Sequence, residues 1–161
     1  TQTAQAIDGF LNENLNGLRV HALLPEVQRF LSASGDELHK AAAWQTLLRL
    51  SRKDTVNLIS LAVLDLAGQN LLDTRTVQIG RDESQRDYFK ALMATKVPAV
   101  SAMQFAGAPG DALTLHFASL VWESRGPAPR GVADHLQRDG GAAADDASPA
   151  CLTGRESGVA R

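Results

Sequence analysis

Arg86, Asp87, Tyr88 and Phe89 stand in a row in this 161-residue chain, directly after Asp82, Glu83, Ser84 and Gln85. A guanidinium can bind a carboxylate through two parallel N–H bonds, and the N–H groups at a helix start favour anions. A tyrosine adds an apolar wall with a polar tip. These residue types point to recognition of a small anion. A second arrangement uses the same residues: Arg86 pairs with Asp82, Glu83 or Asp87 on the surface while Tyr88 and Phe89 fill the core. Asp73, Ser101 and His116 complete the candidate ligand-binding set.

Other chemistry finds little support. None of His21, His39, His116 and His135 pairs with another at metal-ligand spacing. Cys151 is the only cysteine, which excludes an internal disulfide and a Cys-based zinc site. There is no glycine-rich phosphate loop, no serine elbow and no nucleophile–base pair that the sequence would bring together. The expectation is no catalytic residue, no metal and no cofactor. Lys+Arg 16 against Asp+Glu 18 gives a net charge of −2, so there is no electrostatic footprint for nucleic acid. No apolar run approaches a membrane span and no signal peptide is visible. The chain begins at Thr1 and reads as a piece of something longer.

The elements that must position these residues begin with helix. Ile7, Leu11, Leu15, Leu18 and Ala22 recur at steps of three and four, which predicts a helix over 3–32, kinked or restarted at Pro25. Gly35 stops it and Asp36 caps a second helix over 37–52, with Trp44 as a core anchor. Residues 55–65 are rich in Val, Ile, Leu and Thr. The nearly all-apolar run 58–64 predicts a central strand buried on both faces, with Leu61 and Val63 in the core. Gly68 supplies a tight turn, and 70–77 returns antiparallel. A helix over 85–95 follows, then strands over 98–105 and 112–121 around a turn at 106–111.

After Val121 the composition breaks. Residues 122–161 hold three of the six prolines and six of the thirteen glycines, with no Ile, Phe, Tyr, Lys or Met. They are expected to be an irregular tail, disordered or out-of-frame, that packs as no part of the domain. Back-translation of 123–147, read one nucleotide later with favourable third bases, admits a β-rich strand of Gly-Val-Leu type. On this expectation the domain is 1–121, and strand 112–121 is left with an open edge.

The order of LDLAG, NLLDT, GRDESQRDYFKAL and the pair AVSAMQF and LTLHFASLV resembles double Cache sensor domains. These are the PAS-like extracytoplasmic modules of chemoreceptors, sensor histidine kinases and membrane-bound cyclases. The resemblance covers 3–121. It implies an α+β fold, a long N-terminal stalk helix followed by a PAS-like antiparallel sheet with flanking helices, in an incomplete Cache domain without the membrane-proximal lobe. It further implies that Arg86 and Tyr88, with Phe89 following, hold a ligand carboxylate. The family's further tyrosine and aspartate on the next strand have no match within 100–105. Its amine-binding aspartate would lie beyond Val121.

The reading that results is a non-enzymatic, extracytoplasmic small-molecule sensor domain of a membrane signal-transduction receptor. Its ligand is carboxylate-bearing or amino-acid-like, it forms a homodimer through the N-terminal helix, and it meets the membrane only through segments outside this chain. The alternative is a structural or dimerisation module of a receptor that binds no ligand.

Overall fold

A computed structural model describes residues 1–33, 35–105, 113–124, 126 and 128–138. Three helices come first: α1 (Gln2–Ala22), α2 (Pro25–Ser32) and α3 (Glu37–Ser51). The break between α1 and α2 falls at Pro25, which opens α2 at a position where its missing N–H costs nothing. Asp36 caps α3 by accepting from the amide of Leu38 at 2.9 Å. Strands β1 (Leu58–Leu64) and β2 (Asn70–Asp73), a 3-10 turn (Thr76–Gln78) and α4 (Asp87–Thr95) follow. The short strands β3 (Ala99–Val100) and β4 (Gln104–Phe105) then precede β5 (Leu113–Trp122) and β6 (Pro129–Arg138). The turn expected at 106–111 lies outside the described residues.

The sheet is antiparallel with order β2-β1-β6-β5-β3, and β4 also pairs with β5. Helices α1–α3 cover one face, and α4 covers part of the other. Leu18, Val27, Leu47, Leu61, Val63, Phe117 and Ala133 form the larger core under α1–α3. Ala62, Leu64, Tyr88, Phe89, Leu92, Leu120 and Val132 form the smaller one under α4. Leu61 and Val63 are thus in the core of a central strand, as the apolar run predicts. Together the elements make the expected α+β, PAS-like architecture.

The tail expectation is overturned for ten of its residues. Pro129–Arg138 is the strand between β1 and β5, registered with β5 from Pro129 to Arg138 and with β1 from Val132 to Gln137. The sheet therefore extends to Arg138, and β5 has no open edge on that side. The physical reason is backbone pairing. Two long neighbours offer rows of N–H and C=O groups, and filling that slot satisfies both ladders whatever the side chains. Gly131 fits where a Cβ would stand 2.6 Å from the carbonyl oxygen of Leu64. Val132 and Ala133 then enter the two cores. Residues 139–161 lie outside the described ones.

Candidate functional site

The loop between β2 and α4 is held by backbone. The amide of Glu83 donates to the carbonyl of Gly68 at 2.8 Å, and that of Asn70 to Arg81 at 2.9 Å. The amide of Gly80 returns the bond to Asn70 at 2.7 Å. Gly68 has φ +92, and a Cβ there would stand 2.7 Å from the amide nitrogen of Ser84, so the turn after β1 accepts only glycine. This clamp swings Arg75, Arg81 and Arg86 over the α4-side face of the sheet. Between them and the strands is a cleft of about 380 Å³.

Its floor is polar. Asp134 on β6 lies between Ala62 of β1 and Ala118 of β5, two small neighbours that leave it room. Nδ1 of His116 lies 3.2 Å from both carboxylate oxygens of Asp134. The hydroxyl of Tyr88 donates to one of them at 3.3 Å. The Tyr88 ring stacks on His116 at 4.6 Å with 6° between planes. Burial pulls the His116 pKa down, but the charge and hydrogen bond of Asp134 outweigh it and hold it above the ordinary value. Burial first, then Asp134, pushes the Tyr88 phenol well up, so it stays a donor.

At the β2 end, Asp73 accepts from the Asn70 side chain at 2.9 Å and from the Arg75 amide at 2.7 Å. Burial nevertheless raises its pKa to about 6. Oδ1 of Asn70 is buried without a partner among the described residues. At the α4 end, Nε of Arg86 donates to Glu83 at 3.1 Å, and Nη1 donates to Gln104 at 3.3 Å.

Three of the expected site residues, Asp73, Arg86 and His116, line the cleft. Tyr88 stands behind the lining, 1% exposed, and acts on it through His116 and Asp134. Phe89 packs in the apolar layer under α4 and does not reach the cleft. Ser101 lies outside it too: its hydroxyl accepts the His116 amide at 2.9 Å, between the β4 and β3 pairings along β5. The pairing of Arg86 with Glu83, and the burial of Tyr88 and Phe89, match the second arrangement for RDYF, except that Glu83 is buried rather than on the surface. Sequence reading missed Arg75, Arg81, Asn70 and Asp134. Loop closure brings in the first two; Asp134 was lost with the strand that carries it. His21 and His135 also meet, 114 residues apart, which no spacing rule could show. Among the described residues no cluster of three His, Cys, Asp or Glu could hold a metal ion. No described helix is long and apolar enough to cross a membrane.

No family model and no curated protein matches the sequence. Solved structures do match in fold. The sensor domain of the Vibrio cholerae histidine kinase DctB aligns with TM-score 0.65 at 15% identity, over 86% of this chain and 52% of that one. The Escherichia coli DcuS sensor domain aligns at 0.63 and 16%, over 81% of this chain and 90% of that one. The ligand-binding domain of the Pseudomonas aeruginosa PAO1 amino-acid chemoreceptor PctC, in complex with GABA, aligns at 0.59 and 18%, over 85% and 57%. The chain thus has the fold of Cache-type extracytoplasmic sensor domains. It spans about half the length of the DctB and PctC domains.

Proposed function

We propose that the chain is the ligand-sensing lobe of an extracytoplasmic receptor domain, and that its cleft takes a small carboxylate-bearing molecule. The observation that carries this is the convergence of Arg75, Arg81 and Arg86 over one cleft whose floor holds Asp73 and the His116–Asp134 pair. The three guanidiniums suit a carboxylate. The acidic floor suits a donor group on the same ligand, an amine or a hydroxyl. Ligand binding would shift a population between two placements of α1, and a second copy would pair along α1, where Ile7 and Val20 are exposed. No group in the cleft is assigned a catalytic step.

Calorimetry with a panel of small amino acids, GABA and dicarboxylates tests the reading on the wild type and Arg86→Ala. Loss of the charge-assisted contact is expected to cost about 1.5–3 kcal/mol of binding. Equal affinities would remove Arg86 from the site. The second reading, a module that binds nothing, is favoured by the Arg86–Glu83 pair and the buried Tyr88. It predicts no heat from any member of the panel.

A further inference from the structure

The opposite face of the sheet holds a second cavity of about 390 Å³, between α1 and strands β1 and β6. That is within the size range of small-molecule sites. Phe10, Leu50, Leu58 and Leu61 line its walls, and Gly17 of α1 lies over it. At its inner end Nε2 of His135 meets Nδ1 of His21 at 2.9 Å, with the rings stacked at 5.0 Å. One hydrogen bond uses those two nitrogens. Nε2 of His21 is then left over, on a residue 1% exposed, and so is Oε1 of Gln137, on a residue 7% exposed. Both residues line the cavity. Buried polar atoms without partners are rare in folded proteins, and here two belong to residues that line one cavity.

We propose that this cavity is a second binding site, for a small uncharged molecule with a ring-sized apolar body and one head group that both donates and accepts a hydrogen bond. An alcohol, a phenol or a primary amide has that chemistry. Oε1 of Gln137 accepts from the head group. Nε2 of His21 donates to it in the tautomer whose Nδ1 accepts from the Nε2–H of His135. The inner end is built for neutral groups. Burial lowers the pKa of His21 well below its ordinary value and that of His135 to about 4. An anion there would find no cation, and it would meet Glu13 and Asp54 on the way in. A cation at the inner end would be desolvated where, among the described residues, no carboxylate is hydrogen-bonded to either imidazole. A molecule in this place touches both α1 and the sheet. The site therefore acts on the stalk helix independently of the carboxylate cleft.

The probes are benzyl alcohol and benzamide, with benzoate and benzylamine as their charged counterparts, followed by saturation-transfer NMR and by the His Cε1–H resonances. A Cβ at Gly17 would meet only Cε1 of His135, at 3.8 Å, so Gly17→Met fits the backbone and fills the cavity. The uncharged probes are expected to bind the wild type, to move the His21 and His135 resonances, and to bind Gly17→Met at least tenfold more weakly. Arg86→Ala should leave their binding unchanged, so failure of the cleft reading and failure of this one are separate results. Three results would overturn the proposal: unmoved histidine resonances at millimolar probe, equal binding by Gly17→Met, or charged counterparts that bind the cavity as well as the neutral ones do.

Discussion

Strand β6 sends Asp134 to one face of the sheet and His135 to the other, and the two faces handle charge in opposite ways. On the α4 side charges are kept and paired. Asp134 faces His116, Glu83 faces Arg86, and the cleft stays in reach of water. On the α1 side the polar groups are held neutral. Two imidazoles share a hydrogen bond under a helix, and burial disfavours the charged, doubly protonated form of both. The same backbone serves both because successive side chains of a strand alternate. Solvent access decides the difference: a charge costs little beside water and a partner, and a great deal beneath an apolar helix.

The largest expected effect comes from placing a charge on the face that excludes it. Val63 is fully buried in the core under α1–α3. Val63→Asp should leave the protein unfolded, because nothing there can pair with a carboxylate. Circular dichroism and solubility check it. A soluble variant with an unchanged melting curve would show that this face tolerates charge after all.

Acid should separate the faces by sign. His135 takes up a proton near 6.5 when unfolded but only near 4 when folded. The stability it supports is full above about 6.5 and is lost as pH falls toward 4, by roughly 2–3 kcal/mol. Asp73 runs the other way. Burial lifts its pKa from 3.8 to about 6, so its contribution is full below about 4 and is lost as pH rises through 6. Between pH 4 and 6 the two oppose each other. Asp73→Asn removes one of them, and a turned Asn70 amide offers its free Oδ1 to the new NH₂ group. The variant should gain roughly 1–3 kcal/mol at pH 7 and lose stability more steeply on acidification. Urea unfolding from pH 4 to 7 measures both, and parallel curves for variant and wild type would deny the opposition.

The smallest effect is on α1. Gly17→Ala meets nothing closer than 3.8 Å and removes a glycine from a helix interior, so it should stabilise by about 0.5–1 kcal/mol. Thermal melting checks it, and destabilisation would mean that the roof of the second cavity is tighter than the structure has it.

Local pattern was enough for much of the fold. Periodicity gave α1 and α3, Pro25 the break before α2, the apolar run β1, and Gly68 the turn into β2. The order of these segments also carried the PAS-like architecture, and the RDYF row carried Arg86. Each of these is written within a few residues, where propensity and spacing act. Tertiary structure decided the rest. Strand β6 has no apolar alternation, and it is a strand because two neighbours offer it ladders on both sides. The sheet decided that Tyr88 lies behind His116, that Phe89 fills core, and that Asp134 forms the floor of the cleft. It also brought His21 to His135 across 114 residues. Those placements depend on pairing and burial between distant segments, which no local window of sequence contains.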